Sequence, residues 1–210
     1  MRLTFAAALL LIALAAHPET PTPRDADDKP CVLVTGANRG LGLEFAKQYA
    51  AAGWHVIGTA RNPDGAQELA ATGADVVALD VAEAGSVDRL VATLEGRPID
   101  LLINNAGVGA RIPSVEGLDA ERVERVLAVN LVGPMRVTSA LLPNLRKGER
   151  KKIVSITSGL GSIENNRGGG YYGYRESKAG LNMFMRSISA ELAPEGFACV
   201  TLSPGWVRTD

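Results

Sequence analysis

The stretch Cys31-Val32-Leu33-Val34-Thr35-Gly36-Ala37-Asn38-Arg39-Gly40-Leu41-Gly42 decides how this chain folds. Cys31 to Thr35 is a short apolar, β-branched run that reads as a buried strand, and the periodic residues Leu41, Phe45, Ala46 and Tyr49 read as the helix after it. Between them Gly36 permits a tight turn, Gly40 lets the backbone approach a pyrophosphate, and Gly42 allows the helix to pack close on the strand. The helix start, with Asn38, Arg39 and Leu41 in the turn before it, offers unpaired N–H groups and a positive dipole end to phosphates.

Working outward, the same cycle repeats. Strands are expected at His55 to Thr59, Asp75 to Leu79, Asp100 to Asn104, Lys152 to Ile156 and Ala198 to Leu202. Helices are expected at Asp64 to Ala71, Ser86 to Leu94, Ala120 to Val129, Pro134 to Arg146 and Tyr174 to Leu192. Regular βα alternation predicts an α/β fold, a Rossmann-like doubly wound parallel sheet with helices on both faces, over residues 31–210. Ligands of such sheets bind beyond the carboxyl ends of the strands, where the strand order reverses.

Composition narrows the partners. The chain has 210 residues, 46% hydrophobic, with a formal net charge of −1 and its charges scattered. That length suits one domain with a sizeable core, and the charge gives no extended field for nucleic acid or an anionic membrane. Small molecules are the expected partners. Cys31 and Cys199 fall in no metal-binding spacing and are expected on separated strands, unlinked, while His17 and His55 stand alone, so no metal site is expected. At the N-terminus, Arg2 precedes the apolar run Phe5 to Ala16, with Ala13 and Ala15 as small residues for a signal peptidase, which reads as a signal peptide over residues 1–16. The run is too short for a stable membrane span, and residues 17–30, rich in proline and charge, read as a disordered linker. An exported or periplasmic location follows if the signal is real, and a cytoplasmic one otherwise.

The spacing Gly-x-x-x-Gly-x-Gly after Thr35 resembles that of the classical short-chain dehydrogenase/reductases. The resemblance runs from Cys31 to Asp210 and implies a nicotinamide dinucleotide cofactor. Position 60, where NAD-using members carry an acid for the ribose 2′-hydroxyl, is alanine, and Arg39 and Arg61 are both placed to pair with a 2′-phosphate. NADP(H) is therefore the expected cofactor. Asp80 and Val81 match the family's adenine-holding pair, and Asn105 and Gly107, in Asn104-Asn105-Ala106-Gly107, match the motif that lines the cofactor ribose. Pro204 and Gly205 match the turn that cradles the nicotinamide, with Thr209 reaching its carboxamide.

Carbonyl reduction by hydride needs a proton donor, a group that polarises the oxygen, and a route that replaces the proton. Tyr174 and Lys178 are four residues apart on an expected helix and share a face. A phenol ordinarily titrates near pH 10, and a neighbouring ammonium favours its ionised form. Ser158, after the fifth strand, is the expected oxygen-binding hydroxyl, with Ser155 and Ser162 as competitors; Tyr171 and Tyr172 compete as acid, but neither has a lysine four residues on. Asn130 matches the family's helix asparagine, which holds the water linking Lys178 to solvent. Gly161-Ser162-Ile163 and the run Gly169 to Arg175 look like the Sniffer-type carbonyl reductases and C-factor-like bacterial proteins.

Two functions follow. One is reduction of a ketone or aldehyde, or oxidation of the alcohol, with NADP(H). The other is a non-enzymatic nucleotide-binding signalling role of the C-factor type. The sequence ends at Asp210, just past the nicotinamide turn, so a C-terminal strand and lid are expected to be missing. The sixth strand should then be an exposed edge, and a homo-oligomer would lack a common interface.

Overall fold

A computed structural model describes residues 29–205. The expected signal peptide, most of the expected linker, and Thr209 lie outside the described residues.

Chain order is β1 (Cys31–Val34), α1 (Gly40–Ala51), β2 (His55–Ala60), α2 (Gln67–Ala70), β3 (Asp75–Ala78), α3 (Ala84–Leu94), β4 (Leu101–Asn104), α4 (Ala120–Leu127), α5 (Gly133–Lys147), β5 (Lys152–Ile156), α6 (Tyr174–Leu192) and β6 (Ala198–Leu202). The six strands form one parallel sheet in the order β3-β2-β1-β4-β5-β6. The chain crosses from β3 back over the sheet to β4, so the order reverses between β1 and β4, where a doubly wound sheet opens a crevice at its strand ends.

Strand alternation sorts the core into two layers. On one face Leu33, Ile57, Leu102 and Ile153 meet Leu90 of α3, Leu141 and Leu145 of α5, and Leu181 of α6. On the other, Val32, Val34, Leu101, Ile103 and Val154 pack against Phe45 and Tyr49 of α1 and Leu69 of α2. At the pole opposite the strand ends, the buried Asp100 carboxylate accepts hydrogen bonds from the N–H groups of Cys31 (2.8 Å), Glu149 (3.0 Å) and Arg150 (3.2 Å), tying the start of β1 to the segment that leads into β5. β6 ends the described sheet as an edge strand, with Val200 40% exposed. Cys31 and Cys199 lie on β1 and β6, with β4 and β5 between them, and are not linked to each other.

Two expectations are corrected. The helix expected at Asp64 to Ala71 is a 3₁₀ turn, Pro63–Gly65, and then the short α2. Pro63 starts a helical turn readily but Asp64 and Gly65 propagate it poorly, and Ala66 leaves helical geometry at φ −106°, ψ 41°. The helices expected at Ala120 to Val129 and Pro134 to Arg146 are one continuous helix, Ala120–Lys147, widened to a π turn over Ala128–Val132. Pro134 has no N–H to give the preceding turn, and the wider turn accommodates it. This helix is the one described element long and apolar enough to span a membrane, yet its stripe Val137, Leu141 and Leu145 is fully buried against the sheet.

Candidate active site

The turn between β1 and α1 is shaped by its glycines and held by the strand beside it. Gly36 (φ +64°) and Gly40 (φ +55°) take left-handed conformations that disfavour a side chain. A Cβ on Gly42 would stand 2.3 Å from the Gly36 carbonyl oxygen and 2.5 Å from Asn105 Nδ2. Thr35 Oγ1 accepts from the N–H groups of Asn105 and Ala106, both at 3.0 Å. Asn105 Nδ2 donates to the carbonyls of Thr35 (2.9 Å) and Gly36 (3.0 Å). The Asn105 amide thus braces the turn at the switch point, a role additional to the one the motif implied.

A cleft of about 1210 Å³ opens above this turn. Gly36, Asn38, Arg39 and Gly40 line it from β1, Arg61 and Asn62 from β2, Asp80 and Val81 from β3, and Asn105 and Gly107 from β4. Arg122 and Arg125 line it from α4. Four arginines and two carboxylates, Asp80 and Glu83, line the cleft, so it is cationic and suits a polyanion. Asp80 Oδ1 accepts from Ala82 N at 3.0 Å, and Ser86 Oγ accepts from Asp80 N at 2.9 Å, which fixes the turn after β3. Leu41 and Gly42 lie behind the turn and do not line the cleft.

Of the expected catalytic residues, Tyr174 and Lys178 lie on α6, and Asn130 and the turn after Ser158 pack against that helix. Lys178 is 6% exposed and donates from Nζ to the Ile156 carbonyl at the end of β5 (2.7 Å). Its Nζ lies 5.8 Å from the centre of the Tyr174 ring, one helical turn away. Burial pushes the Lys178 ammonium down to about 8. Ser158, after the same strand, is half-buried and its Oγ accepts from Leu160 N at 3.2 Å, capping the turn Gly159–Gly161. That turn rests directly on α6: a Cβ on Gly161 would stand 2.8 Å from the Lys178 carbonyl carbon. Gly107 faces the same space, since a Cβ there would lie 3.4 Å from Asn130 Oδ1 and 3.9 Å from Lys178 Nζ.

Asn130 sits in the π turn, 1% exposed. Its Oδ1 accepts from Val108 N (2.8 Å), and its Nδ2 donates to Val108 O (2.9 Å) and Ser177 Oγ (3.1 Å). Ser177 Oγ donates onward to the Tyr174 carbonyl at 2.7 Å. One asparagine therefore joins the loop after β4 to the start of α6. The Asn130 carbonyl itself has no standard helical donor, because the residue four positions on is Pro134.

The competing serines have other surroundings. Ser155 is fully buried and donates to Met185 Sδ at 3.1 Å, a packing contact inside β5. Ser162 Oγ accepts from Asn165 N in the outer loop. Tyr172 is tied through its backbone to Ile112 O, and the Tyr171 ring lies under Arg175, so both belong to the rim. Pro204 and Gly205 follow β6, whose Leu202 carbonyl accepts from Thr157 N at 2.9 Å, so they leave the sheet next to Ser158. Arg122, Arg125 and Ser177 did not figure among the expected site residues. Ser177, three residues after Tyr174, was the legible one, a small polar residue on the helix face shared with it.

A parallel sheet reversed at β1 and β4, with a glycine turn at the reversal and a phenol, an ammonium and a hydroxyl at the neighbouring strand ends, defines a doubly wound nucleotide-binding oxidoreductase domain. The chain belongs to the short chain dehydrogenase family, whose profile matches residues 30–210. It is 50% identical over 113 residues to C-signal of Myxococcus xanthus, covering 54% of this chain and 68% of that protein. The fold is similar to the NADPH-bound carbonyl reductase from chicken fatty liver (TM-score 0.79, 34% identity, 87% of this chain and 81% of that one). It is similar too to the carbonyl reductase Sniffer of D. melanogaster (TM-score 0.79, 32% identity, 87% and 83%). The expected likeness to Sniffer-type and C-factor-like proteins is borne out.

Proposed function

We propose that the protein reduces a ketone or aldehyde with NADPH, or oxidises the corresponding alcohol with NADP⁺, through Ser158, Tyr174, Lys178 and Asn130. The observation that carries this reading is the buried Lys178 ammonium one turn from the Tyr174 ring, beside Gly107 and Asn130 at the edge of the cationic cleft.

The choice of NADP(H) draws on Arg39 and Arg61 in the cleft, on Ala60 in place of a carboxylate, and on the NADPH-bound relative. The left-handed Gly36 and Gly40, on a turn that Gly42 lets α1 pack against closely, fit a pyrophosphate here. Gly36, Asn38, Arg39, Gly40, Arg61, Asp80, Val81, Asn105 and Gly107 would hold the dinucleotide, with Pro204, Gly205 and Thr209 assigned to its nicotinamide end. When bound, the nicotinamide supplies or accepts the hydride.

The rest is the work of the side chains. Tyr174 gives its hydroxyl proton to the substrate oxygen as negative charge develops there. The Ser158 oxygen already accepts from Leu160 N, which leaves its hydroxyl hydrogen to donate to the same oxygen. Lys178, pushed down to about 8, is charged at neutral pH and so stabilises a phenolate, yet it gives up a proton more readily than an exposed lysine. The Asn130 carbonyl, which Pro134 cannot serve from four positions on, would accept from a water that returns the proton to Lys178.

Replacing Tyr174 by Phe is expected to abolish turnover of a reactive dicarbonyl while NADPH binding persists; undiminished turnover rejects Tyr174 as the acid. Titration with NADPH and NADH tests the cofactor, because an NADH preference removes the role given to Arg61. The identity to C-signal favours a second reading, a nucleotide-binding signalling protein. That reading predicts NADPH binding with no turnover across a panel of carbonyls.

A further inference from the structure

Arg122 and Arg125 stand three residues apart on α4, one turn of helix, and both open onto the cleft together with Val126 and Val129. α4 and the π turn after it therefore bring two arginines and two valines to the lining of the cleft. The same cleft holds the turn Leu79 to Glu83, which the family resemblance places at the adenine. That turn is fastened to the long helix at two points: Arg136 donates to the Ala82 carbonyl, and Gly133 leaves so little room that a Cβ there would lie 2.8 Å from Val81 Cγ2. The base site is thus fastened to the same continuous helix, Ala120–Lys147, that carries Arg122 and Arg125 nearer its start. Arg125 pairs with Glu121 at 3.6 Å, but both side chains are largely exposed, at 65% and 87%, so this pair does not hold the guanidinium away from a ligand.

The geometry points to Arg122 and Arg125 as a base clamp, closing over the adenine ring from α4 while Val126 and Val129 meet its edge. This rests on the nucleotide reading above and adds to it residues that act on the adenosine half common to NADPH and NADH. Arg61 and Arg39 answer to the 2′-phosphate; the α4 pair answers to the purine. A guanidinium suits this because it is planar, permanently charged and weakly hydrated, and it stacks on π-systems as an ammonium does not.

The test is isothermal titration of the full chain and of Arg122→Gln, Arg125→Gln and Arg125→Lys with NADPH, NADH and adenosine 2′,5′-bisphosphate, with circular dichroism as the folding control. Each glutamine variant is expected to weaken all three by about fivefold, on the scale of one exposed guanidinium–π contact. Lysine at 125 is expected to leave most of that loss in place, because charge alone does not stack. Arg61→Gln, run beside them, should weaken NADPH and the bisphosphate but not NADH. Unchanged affinities in both glutamine variants, or full rescue by lysine, overturn the clamp and leave the NADP(H) reading standing. Failure of the unaltered protein to bind any of the three overturns both.

Discussion

A single methyl group at Gly161 tests whether the Ser158 turn is seated as catalysis requires. Ser158 caps the turn Gly159–Gly161, and this turn lies on the backbone of α6 where Lys178 begins. A Cβ at position 161 would meet the Lys178 carbonyl carbon at 2.8 Å, its Cβ at 2.9 Å and Ala179 N at 3.0 Å. Non-bonded carbons settle at about 3.5–4.0 Å, so the turn must retreat by roughly 0.7–1.2 Å. The obstacles are helix backbone, so no side-chain rotation relieves them. A misplacement of about 1 Å costs on the order of a hundredfold in rate, and overpacking costs about 1–3 kcal/mol in stability. Gly161→Ala is therefore expected to lower kcat for a reactive dicarbonyl by about 10- to 100-fold and to lower Tm by several degrees. NADPH affinity should hold, because Gly36, Arg39 and Arg61 stand apart from this turn. Stopped-flow and steady-state measurements at saturating NADPH would read the first effect, and thermal melts the second. A variant with a depressed Tm and undiminished kcat would refute the reasoning, since the turn would then have yielded without Ser158 mattering to the reaction.

Other perturbations probe the neighbouring parts. Burial lowers Lys178 from 10.5 to about 8, so the unfolded chain binds its proton more tightly in that interval and stability from this group rises with pH through it, by up to about 3 kcal/mol. Urea denaturation of the unaltered protein and of Lys178→Met at about pH 7 and about pH 10 should show the former gaining on the latter; a flat difference rejects the buried ammonium. Asn130→Ala strips partners from Val108 N, Val108 O and Ser177 Oγ, and should cost about 2–4 kcal/mol in the same assay; a loss below experimental error would mean that water replaces all three bonds. Gly42→Ala drives a methyl to 2.3 Å from the Gly36 carbonyl, so NADPH binding should be lost or the fold should fail, and unimpaired binding by calorimetry would contradict the packing of the phosphate turn.

Much of this was readable in the residues. Val32 and Leu33 alternate between two buried layers, and the parallel sheet with helices on both faces follows from that doubled burial. Tyr174 and Lys178 needed only helical spacing to come together, and β5, β6 and α6 lie where periodicity put them. Less legible were features set by contacts between distant segments. Nothing local to Asn105 reveals that its amide serves the carbonyls of Thr35 and Gly36, some 70 residues earlier. Pro134 reads as the start of a new helix, and only the packing of α6 on the widened turn, where a Cβ on Gly180 would lie 2.8 Å from Leu131 Cδ2, explains why one helix runs through it. Arg122 and Arg125 look like a solvated pair until α4 is folded over the cleft.

The Asp100 knot at the start of β1 has a practical corollary for anyone handling the enzyme. It fixes residue 31 at the pole of the open parallel sheet opposite the strand ends where the cleft lies. A sensor chip or resin coupled close to residue 31 would therefore meet the protein on the side away from the cleft, leaving the cleft open to the flowing solution.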